Sequence, residues 1–139
     1  MSFGEKSNWV YLFVTAVTFA IYVVIVLGRT GGVPIIEVAY VSTMLWAIGI
    51  GVGLNILGSI AIAIAKPSEA DKTDERDKQI DRLGEHVGGI VLGVGMLGPL
   101  GLAMAEADYF WIANAIFAVF VLSSLVSSTV KIVGYRRGF

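Results

Sequence analysis

Hydrophobic residues run along this chain in four long blocks. Trp9 to Leu27 is 19 residues without a charge. At a rise of about 1.5 Å per residue, a helix of that length matches a hydrocarbon core roughly 30 Å thick. Val38 to Ala65 holds 28 uncharged residues, more than a perpendicular span needs, so that helix should tilt, kink or extend into the headgroups. Gly31-Gly32-Val33-Pro34 is the turn before it. Pro34 suits a first helical position, where its missing N–H would have no partner anyway. Val87 to Ala105 is the third block and Tyr109 to Val130 the fourth, separated by a tight turn at Glu106-Ala107-Asp108. Tyr109, Phe110 and Trp111 open the fourth block, where aromatic rings belong at headgroup level. The pattern predicts an all-α membrane protein, a four-transmembrane-helix bundle forming one integral membrane domain over 1–139. Its spans are 9–27, 38–65, 87–105 and 109–130.

The third block carries Gly88, Gly89, Gly93, Gly95, Gly98 and Gly101 together with Pro99. Such a composition would break a soluble helix. In lipid it is tolerated when neighbouring helices re-satisfy the freed backbone groups, so it predicts a central, kinked helix. Residues 66–86 form the one substantial polar segment and divide the chain into two helix pairs. Within it, Thr73 can cap a helix whose first turn holds Asp74 and Glu75, both favourable near the positive end of the helix dipole. Ile80, Leu83 and Val87 recur at helical spacing, which lets this helix run straight into the third span.

Composition sharpens the class. The chain is 56% hydrophobic and 15% charged, against about 45–50% and about 25% in soluble domains. The excess apolar mass must meet lipid. The absence of cysteine excludes disulfides, thiolate metal sites and cysteine nucleophiles. A net charge of −1 supplies no field for nucleic acid, which is excluded as a partner. The first block is too long for a cleaved signal and lacks a small-residue cleavage site, so it should stay in the protein. Lys and Arg are placed asymmetrically. Lys6, the five cations of 66–86, and Lys131, Arg136 and Arg137 lie on one side, against Arg29 alone on the other. The positive-inside rule then puts the N-terminus, the C-terminus and the charged loop in the cytoplasm.

Gly49/Gly53, Gly84/Gly88 and Gly89/Gly93 each have GxxxG spacing, which places two small residues on one helix face. Packing within the chain is the first expectation for Gly49, Gly53, Gly88, Gly89 and Gly93, and a homodimer seam the second. Asn55 and Asn114, within the second and fourth spans, read as polar glue between helices. Ser123, Ser124, Ser127, Ser128 and Thr129 crowd one end of the fourth span, where hydroxyls bond back to carbonyls or across to another helix. A polar cavity lining is the functional alternative. Asp74, Asp77, Asp81 and Glu85 line one helix face with His86 nearby, but Lys78 and Arg82 interleave with them. A self-neutralising surface is expected there rather than a metal site. Glu75, Arg76, Asp77, Asp81 and Arg82, with Asp74, would face a cytoplasmic or membrane partner. Lys131, Arg136 and Arg137 would hold anionic lipid headgroups.

The run Asp74-Glu75-Arg76-Asp77, followed by Ile80, Asp81, Arg82, Gly84 and Glu85, after an opening Phe3-Gly4-Glu5-Lys6 and Trp9, resembles a family of small four-span prokaryotic membrane proteins with a D-E-R-D signature in the cytoplasmic connection. The resemblance covers the layout of nearly the whole chain. It implies a bacterial plasma (inner) membrane location and, the family's function being unassigned, no catalytic residue. A small multidrug transporter also has four short spans, but it needs a carboxylate buried in the first span. Residues 9–27 hold none, and all 11 acids lie outside the apolar blocks.

No serine with a base, no aspartate pair and no histidine metal motif falls at membrane depth, so neither an enzyme nor a cofactor is expected. The leading expectation is a non-catalytic membrane protein acting by helix packing, an accessory subunit or tethered sensor presenting 66–86 to a partner. The rival is a small-solute channel or transporter with a cavity between the second, third and fourth spans. The interior discriminates between them: a polar cavity favours transport, a dry glycine-packed interior an interaction role. The topology has its own test. An impermeant reagent applied to intact cells should leave residues 66–86 unlabelled, and labelling from outside would overturn the orientation.

Overall fold

The computed structural model describes residues 3–65 and 75–137. Its helices are α1 (Phe3–Gly28), α2 (Val41–Ala65), α3 (Glu75–Gly95), α4 (Leu97–Met104) and α5 (Tyr109–Arg137), with a 3-10 turn at Ile35–Glu37. No strand occurs among the described residues. Gly4–Gly28, Val41–Ala61, Glu75–Met104 and Tyr109–Arg137 are each long and apolar enough to cross a bilayer. Trp46 is 71% exposed and Met104 77% exposed, and large apolar side chains point outward along every span. Such surface is stable only against lipid. The chain is a multi-pass membrane protein built as an all-α four-helix bundle.

The helices outlast the apolar blocks wherever polar residues find tertiary partners. α3 starts at Glu75, and Ile80, 1% exposed, seals it against the end of α5 at Gly134. Arg76 donates to the carbonyls of Gly134 and Tyr135 at 3.1 and 3.0 Å, satisfying acceptors that a helix C-terminus leaves open. α5 therefore continues to Arg137 rather than ending at Val130, and at about 1.5 Å per residue it outreaches the hydrocarbon. At the other end of the sequence, Gly4 lets the Tyr135 ring lie directly on α1.

The third span is broken, as its composition predicts, but it is not central: it packs chiefly on α5, at the edge of the bundle. α3 stops at Gly95, and Met96 separates it from α4. Pro99, buried in the first turn of α4, offers no N–H to the Gly95 carbonyl and its ring crowds that position. Met96 N–H still reaches Leu92 O at 2.9 Å and Leu100 N–H reaches Met96 O at 3.0 Å, so the interruption stays local.

Two ends can be distinguished. The terminal end gathers the starts of α1 and α3 and the finishes of α2 and α5. The loop end carries the α1–α2 and α4–α5 connections. There Tyr22, Val26, Val38, Tyr40, Ala47 and Phe110 form the buried apolar cluster. Val38 belongs to this cluster and not to α2, and Pro34 opens the 3-10 turn instead of the second span. Arg29 ties the connection down through Ala39 O at 2.7 Å and Thr43 Oγ1 at 2.8 Å.

The α4–α5 turn is a double cap. Ala107 N–H bonds Leu102 O at 2.9 Å and Glu106 N–H bonds Ala103 O at 3.1 Å, the Schellman pattern, with Glu106 at φ 58° where glycine is usual. Asp108 Oδ1 then accepts from Phe110 N–H at 2.9 Å and caps α5. Glu106→Gly should raise stability by about 0.5–1 kcal/mol, since it removes a left-handed side-chain clash. Asp108→Ala should lower it by about 1 kcal/mol. Unfolding of the purified protein checks both, and a destabilised Glu106→Gly or an unchanged Asp108→Ala would contradict the double cap.

Candidate functional site

Packing across the bundle follows the order α2, α1, α5, α3. α1 lies between α2 and α5, while α3 and α4 both rest on α5. The spans therefore form a C whose open side lies between α2 and α3. Lipid supplies no hydrophobic force between helices, so close approach decides which pairs seal. α3 seals on α5 through three glycines, Gly84, Gly88 and Gly95, the last against Val119. The stem of Lys131 lies on Gly84, and a methyl placed on Gly88 would stand 2.9 Å from Ser127 Cβ. Ser123 Oγ donates to Gly88 O at 2.8 Å across the same contact. α1 meets α2 at Gly58, which receives Val10.

Two cavities occupy the inside of the C. The first, about 420 Å³, lies at the terminal end and is lined by all four spans: Ser7, Asn8 and Tyr11 of α1, Ser59 of α2, Glu85, Gly88 and Gly89 of α3, and Ser123, Ser124, Ser127, Ser128 and Lys131 of α5. The second, about 600 Å³, runs deeper between α1, α2 and α5. It is mostly apolar, with Thr15, Thr18 and Asn55 among its polar points and Phe19, Met44, Ile48 and Phe117 among its walls. Tyr11 and Ser124 line both, and the Tyr11 hydroxyl donates to Ser124 Oγ at 3.3 Å at their junction. The loop end closes the path. There Tyr22 OH donates to Asn114 Oδ1, and Phe117 packs edge-on against Tyr22 at 5.0 Å between centroids.

The electrostatics concentrate on one pair. Lys131 Nζ lies 2.7 Å from Glu85 Oε1, with side-chain exposures of 14% and 75%. Two buried polar atoms along the cavities, Ser7 Oγ in the first and Asn55 Oδ1 in the second, have no hydrogen-bond partner among the described residues. The other Asn55 group donates to Gly51 O at 2.9 Å within its own helix.

The residues singled out from sequence divide accordingly. Gly88 packs within the chain, as does its partner Gly84. Gly49, Gly53, Gly89 and Gly93 meet nothing within 4 Å, so packing inside this chain is corrected for those four. Asn114 is interhelical glue. Asn55 bridges no helices and lines the deeper cavity instead. In the charged segment Asp74 lies outside the described residues. Glu75 pairs with Lys78 at 3.7 Å, Arg76 and the half-buried Asp77 turn towards the fold, and Asp81 and Arg82 are exposed. Only part of that surface is available to a partner.

Lys131 turns into the cavity rather than towards headgroups. Arg136 pairs with the buried Glu5 at 3.3 Å and sits 6.0 Å over Trp9, so of the three cations at the end of α5 Arg137 is the one with no ion pair among the described residues. No cluster suited to a metal ion occurs among the described residues.

Tyr11 and Ser7 were missed from sequence, because one tyrosine and one serine near the start of an apolar helix carry no pattern of their own. Only the partner serines on α5 gave a signal. No protein-family model, curated protein or solved structure matches the chain.

The glycines give a paired test. Gly88→Leu should separate α3 from α5 and destabilise by about 1–3 kcal/mol, as overpacking does. Gly89→Leu, facing open space, should leave the unfolding of the purified monomer nearly unchanged. Equal effects would refute the seam.

Proposed function

We propose that this protein is a non-catalytic membrane protein that takes up a small solute between its helices, as a transporter or channel-like carrier. One observation carries the reading: the polar cavity and the apolar one meet at Tyr11 and Ser124, making a graded path into the bundle. A dry, glycine-packed interior would have supported an interaction role instead. The volumes fall in the range of about 300–1,000 Å³ typical of small-molecule sites. Asn55 Oδ1 supplies an unused acceptor along the path, and a buried polar atom of that kind is costly unless something meets it.

By the positive-inside count the terminal end faces the cytoplasm, and the D-E-R-D resemblance supports a bacterial plasma membrane. The mouth is then cytoplasmic, and release on the far side requires the Tyr22–Asn114 bond and the aromatic cluster to part. A second reading, an accessory subunit or homodimer, draws on the outward Gly49/Gly53 pair of α2, a helix with one principal neighbour. Exposed Asp81 and Arg82 would then serve a cytoplasmic partner.

Reconstituted in liposomes, the protein should confer a solute permeability that Asn55→Leu and Ser124→Leu each reduce several-fold. No flux above empty liposomes, across ions and hydrophobic cations, would remove the transport reading.

A further inference from the structure

Resting on that reading, we infer that the ligand is a single-chain amphipathic anion, its carboxylate or phosphate head on Lys131 and its apolar body in the deeper cavity. The sign of the charge follows from how unequally the Lys131–Glu85 pair is held. The Glu85 side chain is 75% exposed and can swing into water at little cost, as exposed partners do. Lys131 is 14% exposed, and its stem is wedged on Gly84. When the pair opens, the charge left facing the cavity is positive. Glu85 thus occupies the place that an incoming anion would take.

The head has further donors. Lys131 carries three N–H groups and Glu85 engages one of them. Ser7 Oγ, buried beside the same cavity, has no partner among the described residues. Charge-assisted bonds from an ammonium and hydroxyls to an anionic oxygen are stronger than neutral ones. From Lys131 to Phe117 the path along α5 is about 21 Å at 1.5 Å per residue. That length, past Tyr11 and Ser124, which line both cavities, suits one extended chain.

The test uses full-length protein in nanodiscs of zwitterionic lipid, with radiolabelled dodecyl phosphate as the probe and empty nanodiscs as the blank. Saturable binding near one per chain is expected, with no competition from dodecyltrimethylammonium. Glu85→Gln should tighten binding about two- to fivefold by removing the internal competitor. Lys131→Gln, which keeps the stem over Gly84, should weaken it about tenfold. Should Lys131→Gln fail to fold, Glu85→Gln decides alone, and unchanged or weaker binding would overturn the inference.

Two further arms separate the failures. Dodecyltrimethylammonium binding that Ser124→Leu abolishes would leave the cavity reading standing and overturn the anion. No amphiphile binding sensitive to Ser124→Leu would overturn both. Displacement of dodecyl phosphate by phosphatidylglycerol in the nanodisc would overturn the single-chain ligand in favour of a bilayer headgroup.

Discussion

The contact between α3 and α5 governs the architecture. Two backbones approach at Gly84 and Gly88, Ser123 bonds the Gly88 carbonyl, and Ile80 closes on Gly134 beyond. In lipid, where apolar side chains gain nothing by leaving their surroundings, such backbone proximity and interhelical hydrogen bonds are what hold two spans together. The serines of α5 do two jobs at once. Ser123 stitches the seam and Ser124 reaches Tyr11, while Ser127 and Ser128 give the cavity its polar wall.

With that seam fixed, the asymmetry of the bundle follows. α5 is clasped by α1, α3 and α4, whereas α2 leans chiefly on α1. The loop end is bound by aromatic packing, the Tyr22–Asn114 bond and the Arg29 tether. The terminal end is held by polar pairs around its rim, Glu5 with Arg136 and Glu85 with Lys131. One end is therefore dry and interlocked, and the other is charged and hollow.

Much of the fold was legible because bilayer thickness and helical rise leave few choices for four apolar blocks. The Gly/Pro-rich third span also announced its own break, at Pro99. Element ends were less legible. Lys131 and Arg136 look like interfacial anchors when read alone, because the acids they pair with, Glu85 and Glu5, are distant in sequence. The glycine motifs failed in the same way, since spacing shows that Gly49 and Gly53 share a face but not which neighbour, if any, that face meets. The serine cluster pointed to the polar wall, but the cavity needed Ser7 and Tyr11, whose role comes entirely from the packing of α1 on α5.

The loose attachment of α2 has a consequence for how anything reaches the deeper cavity. Its walls on α2 and α5 include Ile48, Val52, Ile56 and Phe120, which are also partly exposed on the outer surface. A hydrophobic molecule therefore has a sideways entrance from the acyl chains. Its occupancy would track how strongly it partitions into the bilayer rather than its dissolved level, so sparingly soluble compounds would arrive at high local abundance while freely soluble ones would depend on the wet mouth alone.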